Sequence, residues 1–200
     1  MMGLTYECEP IYDKLKVRYS QIEFRWVMSV LVRDVSDFML PNETIAQYNK
    51  RLAMIYESEQ SIGGLPISML DLHLFDERHR SSLPLILAYK AAQLADIDKA
   101  DEFLLNLRHA TIVDVLPTTH FDVILKVVRD MGIDEDRFTQ YYNDGTTQTM
   151  LEHDLNMVRK LNIRTLPAYL IQYGERAVVV RSLIDFENFV SIIEQLKKED

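Results

Sequence analysis

The most reactive side chain in this sequence belongs to Cys8, which is the only cysteine among the 200 residues. Cys8 stands directly before Glu9 and Pro10, and a proline in a first helical turn is typical of a helix start because its missing N–H costs nothing there. A thiol at a helix N-terminus feels the positive end of the helix dipole, which lowers its pKa and favours the thiolate. Two interpretations of Cys8 are therefore open: a reactive thiol, or a small half-buried residue in a first helical turn.

A single cysteine limits the chemistry of the chain. It excludes an internal disulfide and a metal site built from several cysteines. Dithiol enzymes need one thiolate to attack and a second thiol to resolve the mixed disulfide, so dithiol oxidase or isomerase activity is disfavoured. A monothiol enzyme that borrows glutathione for the second step stays open.

The histidines and the clustered aspartates predict no metal site. None of the histidines pairs with another at i, i+4, and none stands with a carboxylate in a zinc-like pattern; they are His73, His79, His109, His120 and His153. Asp96, Asp98 and Asp101 resemble the start of a calcium loop, but the glycine at its sixth position and the glutamate at its twelfth are absent. These aspartates are better interpreted as helix caps.

These residues must be positioned by a mainly helical chain with few strands. Apolar spacing and capping residues predict a first helix from Glu9, a strand over Ile22–Met28, and a helix over Glu43–Tyr56 capped by Asn42. Further helices are predicted after the caps Ser82, Asp98, Thr118 or Thr119, Asp134 and Asp185, and over Thr147–Leu161. A hairpin is predicted from Ala168–Gln172 and Ala177–Val180, joined by the turn around Gly174.

The order of these elements predicts an α/β chain with a thioredoxin-like fold and a helical insertion. The expected division is one domain over 1–200, with a thioredoxin-like part at 1–30 and 147–200 and the insertion at 40–146. The first β-strand of that fold is missing or truncated, because the residues before the first helix are too few for a strand and a turn. That strand lies near the centre of the sheet, so its loss leaves neighbouring strands with unpaired backbone groups.

Composition excludes several kinds of partner. Hydrophobic residues make up 48% of the chain, and 22 basic against 31 acidic residues leave a net charge of −9. Nucleic-acid and anionic-membrane binders need a basic face, so neither partner is expected. No apolar run is long enough to span a membrane, and the start lacks a signal-peptide pattern, so we expect a cytoplasmic protein.

Several segments together resemble the DsbA family of thioredoxin-fold proteins, and most closely its cytoplasmic branch related to dithiol–disulfide isomerases. The resemblance is carried, in order, by Glu9–Lys16 with Tyr19, Ile22–Val27, Leu87–Ala92 with Phe103 and Leu104, and Ile163–Pro167 followed by a hairpin. It implies that the bond between Leu166 and Pro167 is cis. It also implies that Thr165, Leu166 and Pro167 present backbone to an extended peptide or to glutathione.

The chain departs from that family at the catalytic motif, Cys-x-x-Cys-(aromatic)-x-x-Glu-Pro. Aligned on Glu9 and Pro10, the two cysteine positions fall on Met2 and Thr5, and Cys8 falls on a non-catalytic position. In a second alignment, Cys8 is itself the nucleophile. The candidate catalytic residues are therefore Cys8 and Thr5.

The resemblance implies two functions of different classes. The first is a cytoplasmic binding or adaptor protein with a protein or peptide partner, as in a branch that delivers a transcription regulator to an ATP-dependent protease. The alternative is a thiol–disulfide oxidoreductase or a glutathione-linked enzyme, related to kappa-type glutathione transferases or hydroxychromene carboxylate isomerases, that uses Cys8 or Thr5. No cofactor is expected except glutathione in the alternative. A third interpretation is that the chain is a degenerate family member, or that its start was assigned too far along the gene. An unpaired strand edge would also allow two copies of the chain to form a homodimer.

Overall fold

The computed structural model describes residues 2–60, 62–68 and 71–198, and helices dominate this part of the chain. The helices are α1 (Met2–Glu7), α2 (Glu9–Arg18), α3 (Ile45–Glu59), α4 (Leu83–Ala95), α5 (Ala100–Ile112), α6 (Phe121–Asp130), α7 (Glu135–Asn143), α8 (Thr146–Lys160) and α9 (Phe186–Lys198). The strands are β1 (Tyr169–Tyr173) and β2 (Arg176–Val180). This is the expected helix-rich thioredoxin-like order, with a helix where the first strand was missing.

Capping side chains set several of the helix starts. Asp134 accepts a hydrogen bond from the backbone of Arg137 and begins α7 as predicted. The prediction that Asn42 caps α3 is wrong, because Thr44 does so and forms a reciprocal capping box with Gln47. Asn42 instead has a left-handed backbone with φ of 62°. The predicted caps of α5 (Asp98) and α6 (Thr118 or Thr119) are also wrong. Lys99 and His120 occupy those positions, and neither side chain makes a capping hydrogen bond.

Four apolar cores organise the described part of the chain, and one of them is a small cluster of Ile86, Leu87, Leu151 and Leu155 that joins α4 to α8. The largest joins α4 to α7 around side chains that include Phe103, Leu107 and Phe138. A second lies under α1, α3 and the segment before α4, and a third joins α2, α9, β1 and the segment after α2. The boundary between a thioredoxin-like part and an insertion stays a prediction.

The sheet is an antiparallel hairpin in which Tyr169 pairs with Val180 and Tyr173 pairs with Arg176. The two-residue turn between the strands begins with Gly174, whose φ of 58° suits the glycine-first turn that matches strand twist. Within the described residues, the sheet consists of these two strands alone. Both outer edges of the hairpin therefore have no strand partner in that part of the chain.

The predicted strand over Ile22–Met28 does not pair with any described strand, so that prediction is wrong as to pairing. Its side chains nevertheless alternate between half-buried and exposed, as in a strand with one face on a core. Ile22 and Phe24 lie on the same core as Tyr169 and Ile171 of β1. Among the described residues no strand lies beside this segment, and an extended segment cannot form a ladder without a neighbour.

No helix in the described part of the chain is long and apolar enough to cross a bilayer.

Candidate functional site

The candidate thiol lies at the junction of two helices rather than at a free helix end. Cys8 joins α1 to α2 and keeps a helical backbone, with φ of −83° and ψ of −11°. Its carbonyl accepts hydrogen bonds from the backbone N–H groups of Ile11 and Tyr12, both at 3.1 Å. Because helix precedes Cys8 as well as following it, the side chain is not presented to solvent, and only 6% of the residue is exposed.

The surroundings of Cys8 favour the neutral thiol. Burial raises its pKa, and this outweighs the hydrogen bond that the hydroxyl of Tyr169 donates to Sγ at 3.4 Å. Glu9 raises the pKa further, whereas Arg108 lowers it. The expectation that the helix dipole would favour a thiolate here is therefore wrong, because desolvation dominates. Whether Cys8 has a catalytic role stays a prediction.

Thr5, the other candidate, lies one helical turn before Cys8 in α1 and is half-buried. Its hydroxyl cannot act as a thiol, so it offers only hydrogen bonding to a ligand. The structure thus brings the two candidates to one stretch of helix without supplying a second thiol.

A buried ion pair stands beside Cys8. The carboxylate of Glu9 contacts the guanidinium of Arg108 from α5, and both side chains are almost fully buried. The guanidinium also lies 4.5 Å from the ring centroid of Trp26, which in turn is 4.8 Å from that of Tyr12. Burial raises the pKa of Glu9 and lowers that of Arg108, while each partner favours the charged form of the other. The pair locks the first turn of α2 onto the helical part of the molecule.

The predicted binding residues form a partly open loop next to this junction. Thr165 is exposed, Leu166 is half-buried and Pro167 is buried, and the bond between the last two is cis. Tyr169, two residues later, covers the thiol of Cys8 through its hydroxyl. The loop and the start of α2 are therefore neighbours.

Sequence reasoning missed a second buried ion pair, which holds the unpaired segment in place. Asp154 of α8 lies 2.6 Å from Nζ of Lys90 in α4, and the two side chains are 11% and 5% exposed. The same carboxylate accepts the backbone N–H of Met28 at 2.7 Å. Both residues line a cleft of about 580 Å³ that Trp26 also lines. The one sequence signal was a lysine within the apolar run of α4.

Sequence reasoning also missed a cluster of metal-ligating side chains. Asp76 and His79, three residues apart in the segment before α4, meet His120 at the start of α6. The spacing Asp-x-x-His was visible in the sequence, but the third member is distant along the chain. The sequence shows no histidine with a carboxylate in a zinc-like pattern, whereas the fold brings two histidines to one carboxylate here.

Comparison with known proteins gives the family. A family model described as thioredoxin matches residues 3–187, which is most of the chain. The chain belongs to the thioredoxin family. A search of curated proteins finds no match.

Solved structures with the same overall fold cover nearly the whole chain. A protein provisionally assigned as a disulfide isomerase from Nitrosomonas europaea is 15% identical, with a TM-score of 0.77 and coverage of 99% of this chain and 94% of its own. The cytosolic disulfide reductase DsbM from Pseudomonas aeruginosa is 14% identical, with a TM-score of 0.71 and coverage of 98% and 90%. A structure of DsbM with GSH gives a TM-score of 0.69 at 13% identity, with coverage of 98% and 90%. The chain therefore has the same thioredoxin-like fold as these structures.

This chain shares its fold with these structures and has a single cysteine. Its site can pack, hydrogen-bond and exclude water, but its one thiol is buried and neutral. A second thiol would have to come from another molecule.

Proposed function

We propose that this thioredoxin-family chain is a non-catalytic binding protein of adaptor type, which takes an extended segment of a protein partner along the outer edge of β1. The observation that carries the proposal is that this edge is unpaired in the described residues, beside a site whose only thiol is covered. Binding needs a surface and a hydrogen-bonding edge, and neither requires a dithiol.

The register of the hairpin identifies the groups that a partner would use. In an antiparallel pair, residues alternate between exchanging hydrogen bonds and pointing their backbone groups outward. The pair that flanks a two-residue turn is hydrogen-bonded, so the Tyr173–Arg176 and Ile171–Val178 pairs face inward. The backbone N–H and C=O groups of Leu170 and Gln172 therefore point to the outer edge of β1.

Side chains near this edge suit a partner with apolar residues. Leu170 is 40% exposed and Tyr173 is 43% exposed, and both are large and apolar or amphipathic. Phe24, in the unpaired segment, packs on the same core as Ile171. A strand added at this edge would extend the sheet over a core that already exists, as in β-strand addition.

Burial of Cys8 argues against thiol chemistry as the main activity. A thiolate must be formed and must reach its target, and burial opposes both steps here. The glutathione-linked alternative draws support from DsbM, whose structure with GSH has the same fold, and it requires Cys8 or Thr5 to become accessible. We include a cytoplasmic location in the proposal, in keeping with the cytosolic description of DsbM.

Two proline variants test the edge directly. Gln172 and Ala177 face each other across the hairpin, so their N–H groups point to opposite outer edges. Gln172→Pro removes a donor from the edge of β1, and Ala177→Pro removes one from the edge of β2, while neither removes a hydrogen bond between the strands. The second variant is thus a matched control for the first.

The assay uses a photo-crosslinking amino acid at Leu170, with captured segments identified by mass spectrometry after exposure to lysate. We expect crosslinks to extended apolar segments, a loss of about two- to twelvefold in Gln172→Pro, and little change in Ala177→Pro, since one backbone hydrogen bond is worth roughly 0.5–1.5 kcal/mol. Equal effects of both variants would contradict binding at β1.

Insulin reduction with glutathione as reductant tests the alternative. We expect no turnover above the uncatalysed rate, and no difference between the chain and its Cys8→Ser variant. Turnover that Cys8→Ser abolishes would replace the adaptor proposal with the glutathione-linked enzyme.

A further inference from the structure

Asp76, His79 and His120 bring three metal-ligating atoms together in a part of the molecule that the thioredoxin site does not use. Nδ1 of His79 lies 3.0 Å from each carboxylate oxygen of Asp76. Nε2 of His120 lies 2.8 Å from Oδ2 of the same carboxylate. The two imidazole rings stack with centroids 3.7 Å apart and an interplanar angle of 26°.

We propose that these three residues form a binding site for a divalent transition-metal ion of the Zn²⁺ type. Two imidazole nitrogens and one carboxylate oxygen are a ligand set that Zn²⁺ commonly takes. In a tetrahedral site with metal–ligand distances of about 2.0–2.2 Å, ligand atoms stand about 3.3 Å apart. The three atoms here already lie within 4.8 Å of one another, so closure around an ion needs only small side-chain movements.

The carboxylate is held in the orientation that such a site needs. Oδ1 of Asp76 accepts the backbone N–H groups of Arg78 at 2.7 Å and of His79 at 2.8 Å. This leaves Oδ2 facing both imidazoles, and outer contacts of this kind orient metal ligands.

Solvent can reach the cluster, and the protein fills only part of a coordination sphere. The side chains of His120, His79 and Asp76 are 27%, 34% and 43% exposed. Three protein ligands leave one tetrahedral position for water or for a ligand, which distinguishes this arrangement from a closed four-residue structural site. A bound ion would join the segment before α4 to the first turn of α6, next to the hydrogen bond from the Thr119 hydroxyl to the carbonyl of Leu74.

The test is titration of the chelator-treated protein with ZnCl₂ by isothermal calorimetry, repeated with Co²⁺ while visible absorption is recorded. We expect one Zn²⁺ per chain, tetrahedral Co²⁺ absorption bands, and displacement of Co²⁺ by Zn²⁺. His79→Phe and His120→Phe keep a stacked ring but remove a ligand, so each should weaken Zn²⁺ binding at least about 100-fold, more than loss of an outer-sphere contact does.

Controls keep the result independent of folding and of surface histidines. Asp76→Asn retains an acceptor for the two backbone amides and removes the charged ligand, so it should also weaken binding. His109→Phe removes a histidine that stands with Asp114 at 3.4 Å on the exposed surface, and it should bind Zn²⁺ as the unmodified chain does. Circular dichroism must show the same helix content in every variant.

A thermal melt gives a second readout. Zn²⁺ that binds only the folded chain raises its apparent Tm, and this rise should vanish in His79→Phe. The proposal is overturned if Zn²⁺ does not bind, or if it binds equally well to the His79→Phe, His120→Phe and Asp76→Asn variants.

Discussion

Asp154→Ala should be among the most destabilising single substitutions in this chain. It removes both contacts of one buried carboxylate: the ion pair with Lys90 at 2.6 Å and the hydrogen bond from the Met28 amide at 2.7 Å. Only 4% of Lys90 is exposed, so the substitution leaves its ammonium group buried without the carboxylate that neutralised it. The segment after α2 also loses its attachment to α8.

The cost follows from the two contacts. At an effective dielectric constant of 20, charges 2.6 Å apart attract each other by about 6 kcal/mol, part of which is recovered when water reaches the freed lysine. Removal of one partner of a buried pair costs about 3–5 kcal/mol, and a buried amide without an acceptor costs about 1–3 kcal/mol. Met28 is only half-buried, so the lower end applies to its amide. We expect Asp154→Ala to lose about 4–6 kcal/mol of unfolding free energy.

Urea denaturation of matched variants separates the contacts. Asp154→Asn keeps an acceptor for Met28 and should retain about 1 kcal/mol relative to Asp154→Ala. The double variant Lys90→Met with Asp154→Leu removes the uncompensated charge and should lie within about 2 kcal/mol of the unmodified chain. Hydrogen exchange at the Met28 amide should accelerate in Asp154→Ala but not in Asp154→Asn. An Asp154→Ala variant within about 0.5 kcal/mol of the unmodified chain would refute this reasoning.

Three further predictions concern the rest of the chain. Because burial raises its pKa, Cys8 should react with iodoacetamide far more slowly in the folded chain than in denaturing urea, and equal rates by mass spectrometry would contradict this. Hydrogen bonds from Arg51 lower the pKa of Glu43 to about 2, so the contact stabilises the fold above an unfolded pKa of about 4.3 and is lost as pH falls towards 2. Arg51→Met should raise the NMR-measured pKa of Glu43, and an unchanged value would show that the contact does not form. A Cβ at Gly63 would lie 2.1 Å from the backbone oxygen of Glu7, so Gly63→Ala should cost about 1–3 kcal/mol in urea denaturation, whereas an unchanged midpoint would mean that the backbones are not in contact.

Elements whose signals are local were predicted well from the sequence. The starts of α7 and α9 depend on Asp134 and Asp185, whose side chains accept backbone N–H groups three residues later. The hairpin depends on Gly174, which takes the positive φ of its turn. Each signal is contained within a few residues, so no knowledge of tertiary contacts was needed.

Features that depend on distant partners could not be predicted. The alternation over Ile22–Met28 is typical of a strand, but pairing requires a neighbour that the local sequence does not reveal. Lys90 and Asp154 stand 64 positions apart, and His120 stands 41 positions after His79. For Cys8, the position at a helix start was correct, but the effect on its pKa was decided by burial, which outweighs the hydrogen bond from Tyr169, 161 residues later.

The buried thiol and the unpaired edge of β1 meet at one place in the structure. Helix α1 continues into α2 through Cys8, and the Sγ atom of Cys8 accepts a hydrogen bond from the hydroxyl of Tyr169 in β1. Tyr169 also packs on Phe189 of α9, so the same side chain ties the hairpin to both terminal parts of the described chain. The other edge of β1 has no strand partner among the described residues. The contact that covers the one thiol therefore also holds in place the strand that our proposal assigns to a partner.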